Sequence, residues 1–299
     1  MPSTITTRAA RAIPCSGGRA IVLQRRPLVM GVLNLTPDSF SDGGLWLEPE
    51  KAVERGLEMV SSGADLLDLG AESTRPGGGV YGGGAAHVPV DEELRRLLPV
   101  LERLRDEVEV PISVDTRKGE VASRALAGGA DLVNDISALT DPEVARAVAE
   151  AGCPVVLMHS RGELAQMQRE IRFDDLLAEV VGELDRAVDR AVRAGVSRQQ
   201  IFVDPGIGFG KTPRQNLLLL RNLDALDDLG CPVLVGASRK SFIGQLTGAP
   251  ADDRLGGSLA AVGWAAAHHA AVVRVHDVAA TRQFLDVWEA IDRANEGSE

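Results

Sequence analysis

Two carboxylates, an amide and an ammonium group each follow a short apolar segment of this sequence, at Asp115, Asp204, Asn134 and Lys240. Carboxylate and amide oxygens accept hydrogen bonds, whereas the ammonium group donates them. Together they match a flat heterocycle with amino and ring N–H donors on one edge and a carbonyl acceptor. A lone aspartate in such a place can simply begin a helix, as Asp115 would before Thr116. Four such residues favour a heterocycle site over four separate structural roles.

Arg274 and His276 form a second polar pair near the C-terminus. In a strand, a spacing of two puts both side chains on the same side. The rigid fork of donors on arginine suits phosphate oxygens, so this pair is a candidate phosphate site. The alternative is an ion pair between Arg274 and Asp277 or another acid. Asn34 is a candidate ligand of Mg²⁺, with diphosphate oxygens and waters completing the shell.

The elements that must position these residues are an apolar segment and an amphipathic one, repeated eight times. Apolar side chains at spacings of three and four predict the helices, most clearly in 174–194. Eight such units without a linker predict an α/β fold, a single (β/α)8 barrel whose strand ends share the active-site face. A doubly wound sheet is the alternative, because alternation alone does not show closure.

The predicted strands are 28–34, 65–70, 111–115, 131–135, 154–159, 201–204, 232–237 and 271–276. The predicted helices are 49–62, 91–106, 117–128, 141–151, 174–194, 214–229, 238–269 in two pieces, and 278–293. Residues 1–18 are expected to be a disordered N-terminal extension, and 19–295 the barrel domain. Within that domain, residues 19–26 are expected to form a small hairpin that plugs the bottom of the barrel.

Composition excludes several classes of function. The 299 residues carry a formal net charge of −11, which argues against a nucleic-acid partner because polyanions need a basic face. No apolar run approaches the roughly 18 residues of a membrane helix, and the N-terminus lacks the apolar core of a secretory signal. The three cysteines are scattered without metal-ligand spacing. These features predict a cytoplasmic protein that binds neither nucleic acid nor membrane.

Eight segments, taken in order, resemble those of the dihydropteroate synthase family of folate biosynthesis. They are "NLTPDSFSDGG" (34–44), "GAESTRPG" (70–77), "SVDT" (113–116), "ND" (134–135), "LMH" (157–159), "DPGIGFGK" (204–211), "GASRKSFIG" (236–244) and "RVHDV" (274–278). The resemblance implies a TIM barrel, usually a homodimer, that joins 6-hydroxymethyl-7,8-dihydropterin diphosphate to 4-aminobenzoate and releases diphosphate. It also implies an SN1-like path, Mg²⁺ as cofactor and sulfonamides as competitors of the aminobenzoate.

The resemblance assigns roles to individual positions. Those that match the pterin-binding residues are Asp115, Asn134, Met158, Asp204, Phe209 and Lys240. Those on the diphosphate side are Asn34, Arg75, Arg274 and His276, with Asn34 as the metal ligand. Those around the aminobenzoate are Phe40, Thr74, Arg75, Pro76 and Ser241. The implied catalytic set is Asp115, Lys240, Arg274 and His276.

Two loops are expected to act as a mobile lid, 34–44 and 70–84. The second departs from the family pattern, because "GGGVYGGG" (77–84) lengthens it and carries Tyr81, the only tyrosine of the chain. Two interpretations of this longer loop stay open. It is either a tolerated surface insertion or a segment that acts directly on the aminobenzoate pocket. Two other functions also stay open: a pterin-dependent methyltransferase, which would leave the diphosphate residues without a purpose, and a non-catalytic pterin-binding homologue.

Overall fold

The computed structural model describes residues 11–36, 49–72, 88–162 and 171–294. Eight strands form one parallel sheet: β3 (Leu28–Asn34), β4 (Leu66–Gly70), β5 (Ile112–Asp115), β6 (Leu132–Asp135), β7 (Val155–Met158), β8 (Ile201–Asp204), β9 (Leu234–Val235) and β10 (Val272–Val275). Their order in the sheet is β8-β7-β6-β5-β4-β3-β10-β9. Val203 of β8 forms a parallel bridge with Val233 just before β9, so the two ends of the sheet meet and close a barrel. The predicted (β/α)8 barrel is confirmed.

The helices lie between the strands in chain order. They are α1 (Pro49–Ser61), α2 (Val90–Glu107), α3 (Gly119–Ala127), α4 (Pro142–Ala151), α5 (Leu176–Arg193), α6 (Pro213–Arg221), α7 (Ser241–Thr247), α8 (Leu255–Ala267) and α9 (Val278–Asp292). Helix α4 illustrates how the sequence sets a boundary: the Asp141 side chain accepts from Glu143 N, Pro142 opens the helix, and Gly152 ends it in the left-handed conformation. No helix within the described ranges is both long and apolar enough to cross a membrane.

Strand alternation divides the apolar side chains into two cores. One face of each strand packs outward against the helices, as Leu67, Val133 and Val273 do. The opposite face fills the bottom of the barrel interior with Met30, Leu66, Leu132, Val156, Phe202, Leu234 and Val272. Residues two apart on a strand share a face, so the inward positions above this apolar layer include Asp68, Asn134, Asp204 and Arg274.

A hairpin closes the bottom of the barrel, but not with the predicted boundaries. Strand β1 (Arg11–Pro14) pairs antiparallel with β2 (Ala20–Leu23). Ile13 and Ile21 pack into the bottom interior core, which is why residues 11–18 are ordered. The expected disordered extension over 1–18 is therefore wrong for 11–18, and residues 1–10 lie outside the described ranges.

The predicted helix 214–229 is also wrong in its second half. Helix α6 ends at Arg221, and residues Leu223–Leu229 form a 3₁₀ helix. Leu223, Leu226 and Leu229 are its buried residues. Their spacing of three matches the 3₁₀ repeat, in which every third side chain falls on one face.

Candidate active site

Three of the predicted heterocycle-binding residues lie at the upper interior of the barrel, two on the adjacent strands β5 and β6 and one on β8. Asp115 is in register with Asn134 across β5 and β6, and Asp204 is in register with Met158 across β8 and β7. The two carboxylates and the amide are almost fully buried, at 6%, 4% and 5% exposure for Asp115, Asn134 and Asp204. They therefore present acceptors in a region with little access to water.

An arginine and a second buried acid tie this region together. Arg274 Nε donates to Asp68 Oδ2 at 2.6 Å, and Arg274 Nη2 donates to Asp115 Oδ2 at 3.0 Å. Asn134 Nδ2 donates to the same Asp68 oxygen at 3.1 Å. Arg274 is thus paired with two acids, neither of which is Asp277. The alternative of an ion pair with another acid therefore holds for Arg274, with Asp68 and Asp115 as the partners.

Burial perturbs both carboxylates that face the site. Desolvation raises the pKa of Asp115 to about 7 against the opposing effect of Arg274, and the neighbouring Asp68 charge raises it further. Desolvation likewise raises the pKa of Asp204 to about 6, although its Oδ1 accepts from Gly206 N at 2.7 Å. Both acids therefore ionise at a higher pH than free aspartate does. Such raised pKa values are typical of functional sites.

Lys240 and an apolar wall complete the heterocycle side. The Lys240 ammonium lies 4.1 Å from the centre of the Phe209 ring, which gives a cation–π contact. Burial lowers the pKa of Lys240 to about 8, with the Arg274 charge as the next cause. Phe209 packs with Met158 and Ile136 in a small apolar cluster. A flat ring would therefore find an apolar surface beside acceptors and one ammonium group.

His276 lies next to the serine that begins the "SRK" segment. The Ser238 hydroxyl accepts from His276 N at 3.2 Å and is 3.1 Å from His276 Nδ1. Burial, followed by the charges of Arg274, Arg239 and Lys240, lowers the pKa of His276 to about 3. The imidazole is therefore neutral at pH 7. When Ser238 donates to Nδ1, the ring carries its proton on Nε2 and offers it as a donor.

The loop that carries Phe209 is held by a residue to which the sequence assigned no role. Lys211 is buried at 2% exposure, and its ammonium donates to the carbonyl oxygens of Gly206 and Phe209 at 3.0 and 2.9 Å. It also lies 3.0 Å from His159 Nδ1. Burial lowers the pKa of Lys211 to about 7. This contact set fixes the turn between β8 and α6 that presents Phe209.

The metal prediction rests on Asn34, the last residue of β3. Across residues 11–36, 49–72, 88–162 and 171–294, no three His, Cys, Asp or Glu side chains are grouped so that they could hold a metal ion. One amide oxygen at a strand end fits a Mg²⁺ ion that arrives with diphosphate and keeps phosphate oxygens and waters as most of its ligands. The donor set is therefore compatible with the prediction in that form.

Among the predicted residues, the structure joins Asp115, Asn134 and Arg274 through Asp68 and places Lys240 on Phe209, which packs with Met158. Arg75 of the diphosphate set and most of the aminobenzoate set lie outside the described residues. Ser241 is the first residue of α7. Phe40, Thr74, Pro76, Tyr81 and most of the expected lid, 37–44 and 73–84, also lie outside the described residues. Sequence reasoning missed Asp68, Ile136 and Lys211. Asp68 carried a signal, because it is an acid inside the apolar strand "LLDLG".

Comparisons with known proteins agree on one family. Residues 30–276 match the family described as pterin binding enzyme. The chain is 45% identical to dihydropteroate synthase of Synechocystis sp., over 90% of this chain and 91% of the other. A dihydropteroate synthase of Xanthomonas albilineans, solved with 4-aminobenzoic acid, has a TM-score of 0.87 and 47% identity, and covers 95% of this chain and 99% of that one. The same enzyme in complex with 7,8-dihydropteroate has a TM-score of 0.82 and 44% identity, over 94% and 99%.

Proposed function

Since the chain belongs to the family of pterin-binding enzymes, we propose that it joins 6-hydroxymethyl-7,8-dihydropterin diphosphate to 4-aminobenzoate and releases diphosphate. The matched relatives are dihydropteroate synthases, transferases that form dihydropteroate. The observation that carries the proposal is the buried row of acceptors Asp115, Asn134 and Asp204 beside Lys240 and Phe209. A pterin has the ring N–H and amino donors, the carbonyl acceptor and the flat faces that this arrangement requires.

In this proposal the pterin edge donates to Asp115, Asn134 and Asp204, while Lys240 donates to an acceptor of the ring. Phe209 and Met158 contact the ring faces. An ionised Asp115 or Asp204 is the better acceptor, so donors on the pterin favour the charged forms that burial disfavours. Binding the pterin therefore offsets part of the desolvation of these two acids.

The diphosphate lies on the side of Arg274 and His276. Two nitrogens of Arg274 are held by Asp68 and Asp115, which fixes the direction of the guanidinium before the substrate arrives. The neutral His276 adds an N–H donor. Bound Mg²⁺, with the Asn34 amide oxygen as its protein ligand, would neutralise charge on the diphosphate. Arg75 is assigned to the same side by the family resemblance.

The chemistry breaks the bond between the pterin methylene carbon and the diphosphate oxygen, and the electron pair leaves with diphosphate. The electron-rich dihydropterin stabilises the positive charge on that carbon, which supports an SN1-like path. The neutral aromatic amine then forms the new C–N bond with its lone pair and loses a proton to solvent. Arg274 and His276 stabilise the leaving group, and the Asp115 carboxylate stabilises the positive pterin. No strong general base is required.

The second substrate and the assembly complete the proposal. The aminobenzoate site is proposed at Ser241 with Phe40, Thr74, Arg75 and Pro76, and sulfonamides would compete there. A homodimer is proposed from the resemblance and from apolar side chains on α8, where Leu255 and Trp264 are 40% and 45% exposed. Sedimentation of the purified protein tests the dimer. A cytoplasmic location stays a prediction from the sequence.

The test is an assay of the purified chain with dihydropterin diphosphate, Mg²⁺ and 4-aminobenzoate. Diphosphate release is followed, and the organic product is identified by mass. Release coupled to dihydropteroate is the expected result. Pterin binding without release would instead identify a non-catalytic pterin-binding homologue, and release without aminobenzoate incorporation would contradict the proposed second site.

A further inference from the structure

Asp68 is an interior acid to which the proposed mechanism gives no direct contact with substrate. It lies in the middle of β4, in register with Val32 on one side and Ser113 on the other, and has 0% exposure. Gly70, two residues further along β4, is in register with Asp115. Asp68 therefore lies one layer beneath the residues that line the strand ends.

The contact of Asp68 with Asn134 determines how the amide of Asn134 is oriented. An ionised carboxylate can only accept hydrogen bonds, so the amide atom that faces Asp68 must be the NH₂ group. The distance from Asn134 Nδ2 to Asp68 Oδ2 is 3.1 Å. With Nδ2 directed at Asp68, the acceptor Oδ1 is the amide atom left for a ligand. If Oδ1 and Nδ2 of Asn134 changed places, Oδ1 would face the Asp68 carboxylate, and two acceptors would be in contact.

The contact with Arg274 fixes the guanidinium in the same way. The 2.6 Å hydrogen bond from Arg274 Nε to Asp68 Oδ2 joins residues 206 positions apart in the chain. It works together with the bond from Nη2 to Asp115 Oδ2 at 3.0 Å, so two acids hold two sides of the fork. Without Asp68 the guanidinium could rotate about the remaining contact.

Asp68 does not have the contact pattern of an acid kept for stability alone. Its Oδ1, the Oδ1 of Asp115 and the Oγ of Ser113 are buried and lack a hydrogen-bond partner among the described residues. Asp131, at the opposite end of the barrel and equally buried at 0% exposure, uses both oxygens: Oδ1 accepts from Arg19 Nε at 2.7 Å, and Oδ2 from Arg105 Nη1 and Ile112 N, both at 2.8 Å.

We infer that Asp68 is a positioning residue that makes Asn134 a hydrogen-bond acceptor towards the ligand and aims Arg274 at the diphosphate. The inference rests on the proposed function and deepens it. The site then selects heterocycles whose edge presents an N–H or amino donor to Asn134, and rejects those with an acceptor at that point. In the pterin we assign this donor to the 2-amino group.

The test compares Asp68→Asn with Asp131→Asn in the full chain. Asp68→Asn has nearly the same shape but lets the neighbouring amide turn either way. We expect the Kd for hydroxymethylpterin, and the KM for dihydropterin diphosphate, to rise roughly tenfold to a hundredfold. The ratio of the Kd for an analogue without the 2-amino group to the Kd for this pterin should fall. The KM for the aminobenzoate should stay within about twofold. Asp131→Asn should lower Tm and leave both KM values and the Kd unchanged.

A charge-conserving double variant, Asp68→Asn with Asn134→Asp, keeps one hydrogen bond between the two positions and puts a carboxylate acceptor towards the ligand. It should recover most of the pterin affinity and of the preference for the 2-amino group. The inference is overturned if Asp68→Asn lowers Tm but leaves the pterin Kd and the preference intact, or, should that variant not fold, if the double variant loses the preference.

Failure of the proposed function gives a different result. Wild-type protein that forms no dihydropteroate would overturn the function, and the pterin Kd, measured by calorimetry, would still decide the role of Asp68. Active wild-type protein with an unchanged Asp68→Asn variant would overturn only the inference.

Discussion

Both ends of the barrel contain buried aspartates paired with arginines, but the hydrogen-bond arrangements differ. At the bottom, Asp131 receives donors on both oxygens from Arg19, Arg105 and a backbone N–H. At the top, Asp68 and Asp115 share Arg274, and one oxygen of each is buried without a partner among the described residues. A fully partnered buried acid stabilises the fold, whereas an incompletely partnered acid that faces the site, such as Asp115, can accept donors from a ligand.

The largest effect on catalysis is expected from removing Arg274, the arginine at the top of the barrel. Arg274→Ala should lower kcat/KM on the order of 10²–10³-fold, because it removes charge stabilisation of the leaving group. Its matched control, Arg105→Ala, should lower Tm and leave kcat within about twofold. Steady-state kinetics and thermal unfolding of both variants test the contrast. A folded Arg274→Ala variant with unchanged turnover would contradict the assignment.

Two left-handed glycines extend the same comparison to the backbone. Gly206 and Gly230 have φ of +67° and +64°, but a Cβ on Gly206 would lie 1.9 Å from the His159 carbonyl oxygen, whereas a Cβ on Gly230 would meet nothing within 4 Å. Gly230→Ala should therefore lower the free energy of unfolding by about 1–2 kcal/mol through backbone strain alone. Gly206→Ala should lower it by about 3 kcal/mol or more, because the clash adds to the strain. Denaturant unfolding measures both, and equal losses would contradict the close approach.

Asp115 and Asp131 should respond oppositely to conversion into asparagine. The pKa of Asp115 is raised from 3.8 to about 7, so its contribution to stability is present below about pH 4 and is lost as the pH rises through 7. Asp115→Asn should then stabilise the ligand-free protein by about 1–3 kcal/mol at pH 8, less towards pH 4, while it weakens pterin binding. Asp131→Asn should destabilise it at pH 8. Tm measured from pH 4 to 8 tests this, and a destabilised Asp115→Asn at pH 8 would contradict it.

Most of the fold could be predicted because the barrel repeats one local pattern. Strands β3 and β8 have the predicted boundaries, 28–34 and 201–204. The N-terminal strand "RAIP" could not be recognised from the sequence, because its four residues include a proline and an arginine. It forms a strand through its pairing with β2 and its packing on the barrel core. The change from α6 to a 3₁₀ helix was visible in the leucine spacing of 223, 226 and 229 and was missed.

The site could be predicted as a set of residues but not as a set of contacts. Strand ends of a barrel meet on one face whatever their separation in sequence, so Asp115, Asn134 and Asp204 could be grouped. The partners of Arg274 could not be found, because Asp68 is 206 residues away and many acids were available. Lys211 was part of a recognised motif, but its role depends on carbonyl groups that only the folded turn brings together.

If the proposed function is right, the buried carboxylates Asp115 and Asp204 accept hydrogen bonds from the pterin in their ionised forms. Calorimetric titration of the wild-type protein with hydroxymethylpterin, at about pH 6.5 in two buffers of different ionisation enthalpy, tests it most directly. We expect binding to release protons as Asp115 and Asp204 ionise, the affinity to rise with pH up to about 7, and Asp115→Asn to reduce the proton release. Binding without proton release, and with the same affinity from pH 5 to 8, would contradict it.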